Sequence, residues 1–423
     1  MKRIGKERRT AAIVGIDSNV REIEDLANSA GLDVVFELVQ WRRRPDSSTY
    51  VGRGKLEDLK EILEKRKVDY VIINGNLKPS QHYNLEKNLG VECIDRIRLV
   101  LNIFKERAET TESRLQVERA TLKYEIPFLR EWIHNAKAGE HPGFMAGGEY
   151  AVDVYYDLIK KRMKIIDDEL LRLSRGQEVR RGQRRKRGFA LVCLAGYTNA
   201  GKSSLLNILG NDDAVVDNKM FSTLAARTRK INDTENDVLL TDTIGFLQDL
   251  PYFMIESFKY SIDEILSTDL VLLVVDASNS IEEIRRKVEA STKILFPKTG
   301  PADLIVALNK VDLVRGSIDE KVKIVRDLTG CASIVPISTV TREGIDQLIE
   351  KIDDRFKHDC AIKVKLPNTP ESGSIVSWLY EIASVKSVEY GESVLLSLDC
   401  RERDLETILM RTRAAGGMAV DIP

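Results

Sequence analysis

The sequence predicts an α/β protein of about three domains, in which helices cover mostly parallel β-sheets. Its 423 residues correspond to roughly three domains of about 150 residues each. Continuous apolar runs recur along the chain and are typical of strands buried on both faces of a parallel sheet. Segments with Leu and Ile at helical spacing separate the runs, and this alternation is typical of α/β domains.

The composition excludes several classes of protein. The 65 Lys and Arg residues balance 66 Asp and Glu residues, which excludes a uniformly basic nucleic-acid coat but not a local basic patch. None of the five cysteines forms a CxxC pair, which argues against a disulfide framework or a zinc site. No apolar run approaches the roughly 20 residues needed to span a bilayer. We therefore expect a cytoplasmic protein without a membrane span.

Residues 1–95 are predicted to form an N-terminal α/β domain. Its apolar runs lie at Ala11–Ile16, Leu32–Val39, Val68–Ile73 and Val91–Ile94. Between the second and third runs, residues 40–54 contain Arg42, Arg43, Arg44 and two glycines, and we expect a basic loop there. Trp41, Trp132 and Trp378 are expected to be packing residues, because tryptophan is highly buried on average.

Residues 96–180 are predicted to form a long helical hairpin. One helix is expected over Ile97–Lys137 and a second over Ala151–Ser174, with a glycine-rich loop over 138–150. Seven of the thirteen residues in RGQEVRRGQRRKR, Arg175–Arg187, are Arg or Lys. We interpret residues 181–188 as a basic linker, either simply solvated or in contact with a phosphate backbone.

Residues 189–358 are predicted to form a second domain around a parallel sheet, followed by a small α/β domain over 361–423. The apolar runs of the second domain are Phe189–Ala195, Val238–Leu240, Leu270–Val275, Leu304–Leu308 and Ile334–Ile337. The small domain contains IKVKL, SVLLSLDC and a helical segment over Asp404–Arg413.

The first run of the second domain leads into a phosphate-binding loop. It has the pattern GxxxxGKS, and its residues are Gly196, Tyr197, Thr198, Asn199, Ala200, Gly201, Lys202 and Ser203. Ser204 then opens a predicted helix. Backbone N–H groups of such a loop bind phosphate oxygens, the lysine contacts the β- and γ-phosphates, and the serine hydroxyl binds Mg²⁺.

Later motifs select the nucleotide. Asp242, Thr243, Ile244 and Gly245 form a DxxG motif, in which Asp242 would hold Mg²⁺ through water and the Gly245 N–H would sense the γ-phosphate. Asn309, Lys310 and Asp312 belong to an NKxD motif. The Asp312 carboxylate would accept from guanine N1–H and its 2-amino group, donors that adenine lacks. Ser338 and Thr339 would contact the base through the backbone. The order of these motifs predicts GTP and GDP binding with Mg²⁺.

Two positions bear on hydrolysis. Between the phosphate loop and DxxG, Thr223 and Thr228 both have a hydroxyl that could reach Mg²⁺, and spacing alone does not decide between them. Phe246 stands where many GTPases have a glutamine that orients the attacking water. We therefore expect slow intrinsic GTP hydrolysis that a partner accelerates.

The motifs GYTNAGKSS, FSTL, DTIGF and NKVD together resemble the Obg–HflX branch of translation-associated GTPases. Further segments are similar to the HflX family in particular: YVGRGK at Tyr50–Lys55, ESRLQVE at Glu112–Glu118, and GGE at Gly147–Glu149. The likeness covers about residues 10–357 and is compatible with an archaeal-type member.

The resemblance implies that Thr223 is the Mg²⁺ ligand of the first switch, and that Lys202, Thr223 and Gly245 are the catalytic group. It also makes Phe246 an expected substitution. It implies GTP hydrolysis stimulated by the large ribosomal subunit and its rRNA, and a role in ribosome splitting, anti-association or rescue. We expect a monomer when the protein is off the ribosome. Two alternatives remain: a GTP-regulated scaffold that binds a protein through the helical arm, and an RNA-remodelling NTPase.

Overall fold

The structure is a computed structural model that describes residues 9–16, 20–137, 148–186, 189–210, 227–232, 234, 236–242, 252–258, 268–296, 303–357, 360–400 and 402–421. The chain divides into two compact units. Unit 1 comprises Met1–Ser174, Val215–Ala226 and Ile244–Asp263, and unit 2 comprises the remaining residues. Among the described residues, no helix is long and apolar enough to cross a membrane.

Unit 1 contains a four-stranded parallel sheet in the order β2-β1-β3-β4. The strands are β1 (Arg9–Gly15), β2 (Leu32–Val39), β3 (Tyr70–Ile73) and β4 (Glu92–Asp95). The helices between and after them are α1 (Val20–Ser29), α2 (Arg53–Lys65), α3 (Pro79–Leu89) and α4 (Arg96–Arg107). All four strands coincide with predicted apolar runs.

The long helix predicted over Ile97–Lys137 is two helices, α4 and α5 (Thr111–Lys137). They are separate because Thr110 caps α5: the Ser113 N–H donates to Thr110 Oγ1 at 3.1 Å, and the Thr110 N–H donates to Ser113 Oγ at 3.1 Å. Such local bonds satisfy the free N–H groups at a helix start. Thr110 marks the start of a new helix, and the amino-acid composition of the segment does not show this break.

The second hairpin helix, α6 (Gly148–Lys186), is longer than predicted, with 39 residues. It begins inside the predicted glycine-rich loop and continues through the basic run, so residues 175–186 are helical and not an irregular linker. Gln, Glu and Arg are good helix formers, which explains why the charge run propagates the helix. The rest of the predicted loop, residues 138–147, lies outside the described residues.

Ion pairs join the two hairpin helices. Arg119 on α5 pairs with Asp167 on α6 at 2.5 Å. Arg162 on α6 forms a bidentate ion pair with Glu118 on α5, with N–O distances of 2.6 and 2.8 Å. Leu115, Ile166 and Leu170 are buried between the same helices. Apolar packing and bidentate guanidinium geometry therefore hold the hairpin together along this stretch.

A short helix that follows the DxxG motif in sequence, α8 (Tyr252–Ser257), packs in unit 1. Met254 and Phe258 are buried in the same core cluster as α4 and α5 residues, and Phe258 packs edge-on against Phe104. Glu256 accepts from Lys123 at 2.7 Å and from Arg119 at 3.3 Å. This segment is therefore anchored to α5 by both apolar and charged contacts.

Unit 2 contains a six-stranded sheet in the order β10-β9-β8-β5-β7-β6. Its strands are β5 (Ala190–Gly196), β6 (Arg227–Lys230), β7 (Val238–Asp242), β8 (Leu270–Asp276), β9 (Leu304–Asn309) and β10 (Ile334–Pro336). Its helices are α7 (Lys202–Leu209), α9 (Ile281–Leu295), α10 (Asp319–Thr329) and α11 (Ile345–Asp354). Five strands are parallel and were predicted; β6, an antiparallel edge strand, was not, because RTRK is polar.

The chain ends in a four-stranded antiparallel sheet of order β12-β13-β11-β14. Its elements are β11 (Cys360–Pro367), α12 (Pro370–Ile382), β12 (Ser384–Tyr390), β13 (Ser393–Cys400), α13 (Glu402–Ala414) and β14 (Met418–Asp421). The predicted strands IKVKL and SVLLSLDC pair directly as β11 and β13. Their inward residues, such as Val364 and Leu396, form the core with α12 and α13.

The tryptophans behave differently from one another. Trp378 packs partly into the C-terminal core, with the Arg411 guanidinium 4.4 Å from its ring centroid. Trp41 is 76% exposed, so the expectation that it packs is wrong. The side chain of Trp132 lies outside the described residues.

Candidate nucleotide-binding site

Polar residues predicted to bind the nucleotide lie at one edge of the six-stranded sheet. Gly196 ends β5, Asp242 ends β7, and Asn309 ends β9, while Ser338 follows β10. These strands are parallel, so their carboxyl ends meet at the same edge, where α/β proteins bind ligands. The topology therefore gathers motifs that are more than 140 residues apart in sequence into one site.

The two glycines of the phosphate loop have conformations that only glycine adopts without strain. Gly196 has φ +143°, and a Cβ there would lie 2.3 Å from the Val274 carbonyl oxygen. Gly201 has φ +98°, and a Cβ there would lie 2.2 Å from Asn309 Nδ2. Asn199 is also left-handed, with φ 60°. These positions make the loop tight enough to turn successive N–H groups toward an anion.

Lys202 is buried at the start of α7 and lies within this loop. Its ammonium donates to the carbonyl oxygens of Gly196 at 3.2 Å and Tyr197 at 3.1 Å. Burial lowers the pKa of Lys202, while Asp242 raises it. The Thr198 hydroxyl nearby is buried and has no hydrogen-bond partner among the residues that the structure describes. A phosphate would supply the missing negative charge and hydrogen-bond acceptors.

Ser203 and Asp242 come together from α7 and β7. The Ser203 hydroxyl donates to Asp242 Oδ2 at 2.9 Å, and the Asp242 side chain is fully buried. A hydroxyl beside a carboxylate provides the hard oxygen donors that Mg²⁺ prefers, usually with several waters retained. The residues present therefore fit a magnesium ion. Among the residues that the structure describes, no cluster of three or more His, Cys, Asp or Glu ligands occurs.

Asn309 holds the phosphate loop and the serine loop together. Its Nδ2 donates to the Ala200 carbonyl at 2.9 Å, and its Oδ1 accepts from the Thr339 N–H at 3.1 Å. The residue is fully buried. Asn309 therefore positions both loops from the end of β9, a structural role beyond the base contact that the NKxD pattern predicts.

Asp312 is held in place by Ser338. The Ser338 hydroxyl donates to Asp312 Oδ1 at 2.6 Å and accepts from the N–H groups of Val340 and Thr341. One carboxylate oxygen is thus fixed by this bond. The sequence predicted a backbone contact from Ser338 to the base. It did not predict that the Ser338 side chain binds Asp312, because motif spacing does not show which residues of separate segments lie side by side.

Asp276 is a candidate site residue that the sequence motifs did not reveal. It ends β8, and its Oδ2 accepts from Lys310 Nζ at 2.7 Å. Lys310 has a left-handed backbone conformation, with φ 67°. An aspartate at the end of the run LVLLVVD repeats the pattern of Asp242 after VLLT, and this repetition was the available signal.

Several predicted residues lie outside the described residues: Thr223, Thr243, Ile244, Gly245 and Phe246. Thr228 lies on β6, where its hydroxyl is 3.0 Å from that of Thr241 on β7. Ser204 is half-buried in the first turn of α7. The assignment of the switch threonine to Thr223 thus stays a prediction from the resemblance.

Known families match most of the chain. Residues 17–105, 107–184, 191–310 and 323–416 match families described, in that order, as GTP-binding GTPase N-terminal, GTP-binding GTPase Middle Region, 50S ribosome-binding GTPase and HflX C-terminal domain. The last match extends to residue 416, beyond the predicted end of the resemblance at about residue 357.

Individual relatives agree with these families. The chain is 40% identical over 382 residues to GTPase HflX of Thermococcus kodakarensis, with 88% of this chain and 86% of the relative covered. It is 37% identical over 399 residues to GTPase HflX of Methanocaldococcus jannaschii, with 94% and 96% covered. Among solved structures, a GDP complex of a protein called SsGBP matches with a TM-score of 0.52 and 25% identity, covering 82% of this chain and 98% of that one.

Proposed function

The chain belongs to the HflX family of GTPases, and we propose that its GTP-bound state docks on the large ribosomal subunit to split ribosomes or keep subunits apart. That it binds and hydrolyses GTP follows from the family. The observation that carries the ribosomal part is the match of residues 191–310 to the family described as 50S ribosome-binding GTPase. A cytoplasmic location and a monomeric free state are part of the same proposal.

In the proposed site, the loop amides and Lys202 bind the β- and γ-phosphates. Ser203 and Asp242, whose side-chain oxygens are 2.9 Å apart, would hold Mg²⁺, Ser203 directly and Asp242 through water. The metal, when bound, neutralises charge on the phosphate oxygens. Thr223 and Gly245 are proposed to close on the γ-phosphate, and Asp312 to accept from guanine. The bond from Ser338 to Asp312 supports this last role because it fixes the carboxylate before the base arrives.

Hydrolysis is proposed to be slow without a partner. Phe246 cannot hydrogen-bond to water, so nothing at that position orients the nucleophile. A ribosomal partner would then complete the catalytic conformation. In single-turnover measurements, we expect large subunits to accelerate GTP hydrolysis by at least about tenfold, and equal rates with and without subunits would contradict the proposal.

The basic C-terminal end of α6 supports an RNA partner. Arg175, Arg180, Arg181 and Arg184 lie on this helical segment, and each is at least partly exposed. Cationic side chains on RNA displace counterions, so binding that depends on them weakens steeply with salt.

Co-sedimentation with purified large subunits tests the proposal directly. The protein is incubated with a non-hydrolysable GTP analogue or with GDP, at two salt concentrations. We expect pelleting with the analogue at low salt, less with GDP, and less at high salt. No pelleting in either nucleotide state would favour the scaffold alternative, and binding of naked RNA with ATP turnover would favour the remodelling alternative.

A further inference from the structure

The exposed Trp41 lies on a basic loop of unit 1 that the nucleotide site does not use. Its ring is 76% exposed, although an indole ring in water forgoes a large burial energy. A single exposed apolar side chain is ordinary on a protein surface, and Trp41 is informative because three arginines follow it directly in the chain. The loop, residues 40–52, follows β2 and precedes α2.

Hydrogen bonds hold the start and the end of this loop in place. At its start, the Gln40 N–H donates to the Gly15 carbonyl at 2.9 Å, and the Arg42 N–H donates to the Ile16 carbonyl at 3.2 Å. At its end, the Gly52 N–H donates to Gln40 Oε1 at 2.8 Å. Trp41 is therefore clamped on both sides by backbone hydrogen bonds.

The middle of the loop is fixed as well. Asp46 and Tyr50 exchange two backbone hydrogen bonds, of 2.8 and 3.2 Å, and Asp46 Oδ1 accepts from the Ser48 N–H at 2.9 Å. The buried Tyr50 hydroxyl donates to the Asn74 carbonyl at 2.7 Å. A preorganised loop presents an aromatic ring at little cost in conformational entropy.

Three cationic residues follow Trp41 directly in the chain. Arg42, Arg43 and Arg44 are all exposed. Arg42 pairs with Asp46 at 3.4 Å, whereas Arg43 and Arg44 form no ion pair with the residues that the structure describes. Ser47 and Ser48, which are exposed later in the loop, are polar, and this favours a polar partner over a membrane or an apolar protein surface.

We propose that Trp41 stacks on an unpaired RNA base while Arg43 and Arg44 bind the phosphates on either side of it. An aromatic ring with flanking cations is the combination that recognises single-stranded nucleic acid without strong sequence preference. The inference rests on the proposed ribosomal function and deepens it, since it assigns to unit 1 a contact with an unpaired nucleotide of rRNA.

The experiment uses the full-length chain. Trp41→Ala is compared with Trp41→Phe and with Tyr390→Ala, a control at another exposed aromatic residue (71% exposed). Affinity for large subunits is measured with a non-hydrolysable GTP analogue. We expect Trp41→Ala to weaken binding about 5- to 150-fold, the range that stacking of one base provides, with most affinity restored in Trp41→Phe. The control variant should bind like the wild type.

The salt dependence separates stacking from charge. Trp41→Ala should leave the slope of log affinity against log salt unchanged, because it removes no charge. Arg43→Gln with Arg44→Gln should reduce the slope by about 1.4, since each single-strand phosphate contact contributes about 0.7. Unchanged affinity in Trp41→Ala while the wild type binds subunits would overturn the inference and leave the proposed function standing.

A spectroscopic arm decides the case in which the wild type does not bind subunits. A Trp132→Phe, Trp378→Phe double variant retains Trp41 as its one tryptophan and is titrated with a single-stranded RNA oligonucleotide. Quenching of the emission and protection from acrylamide would support stacking even if the proposed function failed. No quenching by RNA, or a blue shift with phosphatidylserine vesicles instead, would overturn it.

Discussion

At Gly196 of the phosphate loop, any side chain would clash with the neighbouring backbone. We predict that Gly196→Ala lowers the free energy of unfolding by about 2 kcal/mol or more and abolishes GTP binding, because its Cβ would meet the Val274 carbonyl at 2.3 Å. Calorimetric unfolding and nucleotide titration measure both effects. Gly176→Ala, on α6 with open space around it, is the matched control and should be neutral or stabilising by up to about 1 kcal/mol.

Base selection depends on Asp312. We predict that Asp312→Asn weakens GTP binding by about 100-fold or more and strengthens binding of xanthosine triphosphate. The reason is that the amide offers a donor where guanine requires an acceptor. Competition binding with the two nucleotides measures the change. The exposed Asp327→Asn is the control. Unchanged GTP affinity in the Asp312 variant would refute the assignment.

The sequence was sufficient to find the candidate nucleotide residues, because their types and order are tied to buried strands that apolar runs reveal. It could not show that Ser338 fixes Asp312, or that Asp276 pairs with Lys310. Both contacts join residues 26 and 34 positions apart, whose proximity arises from strand order and a left-handed turn. Hydropathy and motif spacing carry no information about either.

At the scale of elements, the loop before α2 is held by Tyr50, which has φ 64°. We predict that Tyr50→Phe destabilises unit 1 by about 1 kcal/mol, since it removes the donor to the Asn74 carbonyl. Hydrogen exchange of the Tyr50–Gly75 region measures the loss. Tyr390→Phe, exposed on β12, should have no effect, and equal protection in both variants would contradict the structural role.

The C-terminal sheet places Cys360 directly opposite Cys400 on adjacent antiparallel strands. Burial raises the pKa of the Cys400 thiol to about 11, and Cys360 contributes to the rise. The unfolded chain loses this proton near pH 9, so the free energy of unfolding should fall between about pH 9 and 11. Denaturant titrations of the wild type and Cys400→Ala across this range measure the effect. A fall of the same size in both would contradict it.

Strand positions were predictable because buried parallel strands are continuously apolar, whereas helix ends were not. The break at Thr110 depends on two hydrogen bonds. The extension of α6 through the basic run depends on the helix propensity of its residues, which a count of their charges does not measure. The polar edge strand β6 could not be found from hydropathy at all.

At the scale of the whole molecule, α8 belongs to unit 1 although it begins only seven residues after Gly245 of the DxxG motif in the sequence. Ion pairs from Glu256 to Arg119 and Lys123 anchor α8 on α5. Hydrogen bonding from Lys123 lowers the pKa of Glu256, so the anchor is ionised at neutral pH.

We predict that Glu256→Gln reduces the difference in tryptic cleavage of α5 and α6 between the GTP-analogue and GDP states, because it weakens the ion pairs that hold α8, the helix after the DxxG motif in sequence, on α5. Limited proteolysis in both nucleotides measures this difference. Glu178→Gln, exposed on α6, is the matched control. If the cleavage difference between the two nucleotide states in Glu256→Gln is as large as in the wild type, Glu256 has no part in the nucleotide-dependent change.

An unbroken α6 of 39 residues is about 58 Å long, at 1.5 Å per residue. This length is nearly twice the roughly 30 Å diameter of a small domain, so the arginine-rich end of α6 and its end at Gly148 can contact sites too far apart for one small domain to reach together.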